Sequence, residues 1–309
     1  MAQTLEILAH RTDTLTSIRG IVHTMKTLSA INALPYDHAA QAIEAYHRTI
    51  LEGFRAFVHH NGAQLQTTKS PPTRVVVVFG SDHGLCGGYN ELLADEVSTH
   101  LERHGHEPTS AMVLCVGARM NDALVARGIL PKRTLLPPAS ADGIGRLAGL
   151  LAARLEDISR QSQPDEIAVD LAFTERAAGG SQEPVLRNLL PLDSKMIADL
   201  VDHPWVSRSL PYFTLPASDL LSELVIGHLF SSLFRASAEA MVTENAARLA
   251  LMQQAEQSID DRLEELNAET RTVRQTEITT ELLDIIAGFE ALSKRHPKPE
   301  KAPNKPAHC

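Results

Sequence analysis

Aromatic side chains are scarce in this chain. Phe, Tyr and Trp supply only 4% of 309 residues, whereas cores usually draw much of their buried area from them, so the composition predicts helices packed through Ala, Leu and Met. Cysteine is scarcer still. Cys86, Cys115 and Cys309 are odd in number and lack CxxC spacing, which argues against a disulfide framework and for a reducing compartment. An excess of positive charge is also missing: 29 Lys and Arg against 38 Asp and Glu give a net charge of −9. No basic surface is available to neutralise phosphates, so no nucleic-acid partner is expected. Long apolar runs are absent as well. The opening MAQTLEILAHRTDTLTSIRG alternates charged and apolar groups and provides neither a signal peptide nor a membrane span. With 43% hydrophobic and 22% charged residues, the composition is that of a soluble globular protein with one sizeable or two small cores.

Proline is missing from one long stretch, between Pro216 and Pro297, where only Gly227 and Gly288 weaken a helix. A continuous helix there would span roughly 115 to 120 Å at 1.5 Å per residue, too long for a compact domain. Leu249, Met252, Glu256, Ile259, Leu263, Leu266, Thr270 and Val273 alternate spacings of three and four, the seam of a left-handed coiled coil. A second seam of the same spacing, Leu8, Arg11, Leu15, Ile18, Val22, Met25, Ser29 and Asn32, marks the N-terminal helix as its natural partner. Two ordinary amphipathic helices lying on a core would show similar stripes, but the length of the second favours a rod that another surface must cover.

Between the helical ends, the β-branched runs 74–80 and 111–117, with 166–175 and 185–192, predict strands. Helix-length segments between them indicate a small, largely parallel sheet. The expected fold is therefore α/β: an antiparallel coiled coil of N- and C-terminal helices plus a small Rossmann-like domain. The divisions are 1–60, 70–210 and 216–295, followed by a Pro- and Lys-rich tail, 296–309, expected to be disordered.

The stretch FGSDHGLCGGYN, 79–90, invites chemistry. It is neither GxGxxG nor a P-loop, because no lysine closes it, and Glu91 in the first turn of the following helix would repel an anion. Cys86 with His83 three residues away could form a nucleophilic pair, but small residues at a tight turn account for it equally simply. His100, His104 and His106 offer imidazole nitrogens with no acidic or Cys ligand beside them. No catalytic, cofactor or metal residue is assigned.

Three stretches share a resemblance. The loop is similar to DxGLCGGxN through Asp82, Gly84, Leu85, Cys86, Gly87, Gly88 and Asn90. TENAARLALM, 243–252, is similar to SExAARMxAM through Glu244, Ala246, Ala247, Arg248 and Met252. VRQTEITTELLDIIAGFEAL, 273–292, resembles ARQxxITxELxEIxxGAxAL through Arg274, Gln275, Ile278, Thr279, Glu281 and Gly288. All three belong to the gamma subunit of F-type ATP synthases, and the chain resembles that family from about residue 3 to about residue 293.

The resemblance implies a non-catalytic central shaft without a cofactor. It implies alpha, beta and epsilon subunits and the ring of c subunits as partners, a place at the cytoplasmic face of a bacterial inner membrane, and no homo-oligomer. Arg274 and Gln275 match residues that touch a beta-subunit loop, and Met25 falls near another beta contact. Thr279, Glu244 and Arg248, matched within the same motifs, are expected at partner contacts too. The chain also departs from the family. GIVHTMKTLSAIN has only Lys26 where KITKAMEMVAASK is lysine-rich, Pro35 implies a kink or helix restart, Tyr212-Phe213-Thr214-Leu215-Pro216 lacks the Glu of YxYEP, and Phe289 replaces Ala. These departures suggest a divergent branch, such as the alternative bacterial F-type ATPases associated with sodium transport. Two other readings remain: a nucleotide-binding α/β enzyme with helical appendages, and a homodimeric coiled-coil scaffold joined through 241–273.

Overall fold

The computed structural model describes residues 2–61, 73–104, 112–161, 167–177, 181–202, 205, 209 and 211–295. The chain forms two compact units, Met1–His23 with Gln254–Cys309, and Thr24–Gln253. Two helices run through both: α1 (Ala2–Asn61) and α6 (Ala217–Arg295).

Thr24–Gln253 is built on a sheet of β1 (Thr73–Phe79), β2 (Met112–Val116), β3 (Arg133–Leu135), β4 (Ile167–Arg176) and β5 (Gln182–Leu190), in the order β3-β2-β1-β4-β5. β1 pairs in parallel with β2 and β4, and β2 with β3; only β4 and β5 are antiparallel. The period of two along a strand explains the VVVV run. Val75 and Val77 face α4 (Ile144–Gln161) and α6, whereas Val76 and Val78 face α2 (Tyr89–Arg103) and α3 (Ala118–Val125). All four are 0% exposed, each contributing about 1.5 to 3 kcal/mol by leaving water. The expected strands all form. Two elements are additions: three-residue β3, too short to show a period, and the helix α5 (Ser194–Asp202).

In the same unit α1 and α6 pack through Phe54, Phe57 and Leu224. A Cβ on Gly227 would lie 2.8 Å from Ile50 Cδ1, so this glycine serves close helix approach rather than weakening α6. His47 and Ser231 bond across the pair at 2.9 Å.

In the unit of Met1–His23 with Gln254–Cys309, Arg19 pairs with Asp260 at 2.5 Å and His23 with Glu256 at 2.9 Å. One number rises as the other falls, so the two segments are antiparallel. The C-terminal seam is as expected: Leu249 to Val273 are all buried or half-buried at the named positions. The N-terminal seam is partly corrected. Leu8, Leu15, Val22, Met25 and Ser29 are buried or half-buried, but Arg11, Ile18 and Asn32 are exposed, with Thr12 and Ala33 half-buried in place of Arg11 and Asn32. Two three-four registers share every second position, and polar Thr12 hid the second; the exposed Arg19 reaches its carboxylate with a long aliphatic stem.

Pro35 does not restart the helix. α1 continues through it, because Pro35 and Ile31, whose carbonyl loses its intrahelical donor, both stand on the exposed side. The tail 296–309 lies outside the described residues.

Candidate functional site

The glycine-rich turn follows β1, at the sheet's topological switch point between β1 and β4, where doubly wound folds bind ligands. Its interior is a side-chain network. Ser81 N donates to Asn90 Oδ1 at 2.9 Å, Asn90 Nδ2 donates to Ser81 Oγ at 2.8 Å, and Ser81 Oγ donates to the His83 carbonyl at 2.9 Å. Leu85 and Gly87 take left-handed backbone angles, φ 66 and 64. Cys86 is buried under this network, and burial pushes its thiol pKa up. Its sulfur lies 3.9 Å from the His83 carbonyl oxygen, whereas the His83 side chain is 85% exposed. No thiolate and imidazolium pair exists here.

On its α6 side the turn is covered by the chain itself. Arg248 of α6 donates from Nε to Gly84 O at 3.3 Å and from Nη2 to His83 O at 3.4 Å. The Tyr89 hydroxyl donates to Ala240 O at 2.9 Å and lies 3.1 Å from Thr243 Oγ1, which is 3.1 Å from Thr174 O. Burial raises the Tyr89 pKa and keeps the phenol protonated. Glu244, 5% exposed, holds Arg248 at 2.6 Å; burial raises its pKa and Arg248 opposes that rise. Where a dinucleotide would lie, α6 has placed hydroxyls and a guanidinium, and these already engage the sheet domain.

The histidine cluster is structural too. His100 Nε2 lies 3.1 Å from Asp170, which also bonds Arg74 and accepts from Asn188 Nδ2 at 3.2 Å. Burial alone would raise the Asp170 pKa, but His100, Arg74 and Asn188 together hold it below the ordinary value. The His104 ring lies tilted against that of His100, with centroids 4.4 Å apart. His106 lies outside the described residues, among which no three ligating side chains gather.

The remaining candidates lie along the helices. Arg274, Gln275 and Thr279 are exposed on α6, with the Thr279 hydroxyl donating to the Gln275 carbonyl at 2.8 Å. Met25 is half-buried on α1. Beyond Thr280 every side chain through Glu290 is exposed, among them Ile285 at 68% and Phe289 at 76%. The structure thus separates two groups: Glu244 and Arg248 turn inward to the turn, while Arg274, Gln275 and Thr279 face outward. The bonds of Tyr89, Thr174 and Thr243 escaped the sequence; the only available signal was a run of polar residues, Thr243 to Asn245, on a face that is otherwise apolar.

A family model described as ATP synthase matches residues 4–292. The chain belongs to the ATP synthase gamma chain family. It is 25% identical over 296 residues to the ATP synthase gamma chain of Geotalea uraniireducens, covering 93% of this chain and 98% of the relative. With the gamma chain of Rhodopirellula baltica it shares 28% over 302 residues, covering 91% and 96%. Among solved structures, a chain of the Euglena gracilis mitochondrial ATP synthase, seen with OSCP, F1 and c-ring, superposes with a TM-score of 0.61 at 15% identity, covering 99% of this chain and 100% of that one. A chain from the Tetrahymena thermophila central stalk and c-ring superposes with a TM-score of 0.52 at 18% identity, covering 76% and 99%. This chain is the gamma subunit, a non-catalytic part of ATP synthase.

Proposed function

We propose that this gamma chain couples ion flow through a membrane ring of c subunits to ATP synthesis or hydrolysis in a hexamer of alpha and beta subunits. The observation that carries this is the end of α6. Residues 281–290 are exposed throughout and include Leu282, Leu283, Ile285, Ile286 and Phe289, each more than half exposed. An apolar stretch of this kind needs a protein cavity around it, and a hexamer's central hole provides one. Arg274, Gln275 and Thr279 stand on the same exposed stretch and contact the beta subunits, with Met25 at a second beta contact. Glu244 and Arg248 support the contact surface from within by holding the turn.

Met1–His23 shares a compact unit with α6 from Gln254 and packs on its seam, with Arg19 on Asp260 and His23 on Glu256, so the seam is not left over for a second copy, as a homodimeric scaffold would require. No helix among the described residues is long and apolar enough to cross a membrane; the chain reaches the cytoplasmic face of a bacterial inner membrane through the epsilon subunit and the c-ring. Tyr212 to Pro216 without a Glu, and Phe289, support placement in a divergent branch of the family.

The test is co-purification of the tagged chain from its own host, with mass spectrometry of the companions. Alpha and beta ATPase subunits, with one copy of this chain per hexamer, are expected. A lone monomer or a homodimer overturns the reading.

A further inference from the structure

Most of the contact between α6 and the sheet domain is apolar, through Leu229, Leu233 and Ala236. Such contact has no preferred direction, so by itself it resists a small turn or slide of the helix only weakly. From residue 240 to 248 the contact changes character. Thr243, Glu244 and Asn245 are buried at 0%, 5% and 4%, an unusual place for polar groups unless each is satisfied. Thr243, Arg248 and the Ala240 carbonyl tie α6 to three separate places: the end of β4 at the Thr174 carbonyl, the start of α2 at Tyr89, and the turn at the carbonyls of His83 and Gly84, while Glu244 and Asn245 bond within the helix, to Arg248 and to the Met241 carbonyl. Hydrogen bonds have direction, and a shift of one residue would break those that Thr174, Tyr89 and the carbonyls of the turn make to α6. The turn is held with equal firmness, since Leu85 keeps a left-handed angle of φ 66 that a leucine retains only where its surroundings over-determine it.

We infer that residues 240–248 of α6, together with Tyr89, Thr174 and the turn, form a register clamp that lets torque pass between the long helix and the sheet domain without slip. Tyr89, Thr243 and Arg248 are its positioning residues. The inference rests on the coupling function proposed above.

The experiment uses the whole complex, assembled with the host's own subunits and reconstituted in vesicles, with ATP hydrolysis and ATP-driven ion uptake measured on the same sample. The double variant Tyr89→Phe/Thr243→Val removes two hydroxyls at nearly constant shape. It is expected to keep hydrolysis while ions moved per ATP fall roughly fivefold, the factor that one hydrogen bond of typical net strength is worth. Tyr89→Phe/Thr243→Ser, which restores one hydroxyl, recovers much of the ratio. An unchanged ratio in the double variant overturns the clamp, and so does failure to assemble, which would make the hydroxyls a requirement of folding instead. If the complex carrying the unaltered chain hydrolyses ATP without moving ions, the coupling function itself fails, an outcome visible before any variant is made.

Discussion

Gly117 stands at a sharp backbone constraint. It links β2 to α3 at φ 105, and a Cβ there would lie 2.5 Å from the Ser81 carbonyl oxygen and 2.8 Å from that of Gly80. Both obstacles are backbone and cannot swing aside. Gly117→Ala is therefore expected to destabilise the chain by about 2 to 5 kcal/mol, strain and overpacking together. Gly149 makes the opposite case. It lies in α4 with nothing within 4 Å of its would-be Cβ, so Gly149→Ala should stabilise by about 1 kcal/mol, through helix propensity alone. Urea unfolding of the two variants must move in opposite directions; a common direction would refute the assignment of Gly117. Residue types alone do not separate these two positions. Cys86 and His83 mislead in the same way, since their spacing suggests a reactive pair and only the burial of one and the exposure of the other removes it.

At the scale of elements, periodicity made the long helices, the main strands and the C-terminal seam readable. It failed where a polar residue occupies an inward position, at Thr12, and where an element is as short as β3. The helix pair of α1 and α6 also carries a pH dependence invisible in the pattern. His228 is 7% exposed, its ring centroid lies 5.4 Å from that of His47 and 6.1 Å from that of Phe54, and its Nδ1 has no hydrogen-bond partner. Burial first, and the His47 charge second, push its pKa from 6.5 down to about 4. Burial lowers the pKa of His47 as well, with Glu44 opposing that shift and Arg235 adding to it.

A histidine held neutral by the fold takes up its proton more readily when unfolded. The stability it confers is complete above pH 6.5, declines as the pH falls towards 4, and does not decline further below that. Between pH 7.5 and 5 the loss from this group should be about 2 kcal/mol. His228→Leu should remove that part of the slope in urea unfolding at the two pH values. An equal slope in both proteins would show that His228 is not responsible.

At the scale of the whole molecule, two kinds of polar group are divided by the direction in which they face. Those of 240–248 are spent inside the fold. Arg274 and Gln275 are exposed, and among the described residues Arg274 forms no ion pair, so removing them subtracts nothing from the chain's own stability. Arg274→Ala/Gln275→Leu should leave urea unfolding within about 0.5 kcal/mol of the parent, as surface changes usually do. Assembly should remain intact, because the apolar stretch of 282–289 is untouched. Coupled ATP turnover of the complex should fall by roughly tenfold, the loss of one charge-assisted hydrogen bond to a partner. The two groups also fail differently: loss of an outward contact slows turnover while ions moved per ATP stay constant, whereas loss of the clamp lowers that ratio. Unchanged turnover in the outward double variant would remove Arg274 and Gln275 from the contact surface and leave the exposed apolar face of α6 as the whole of it.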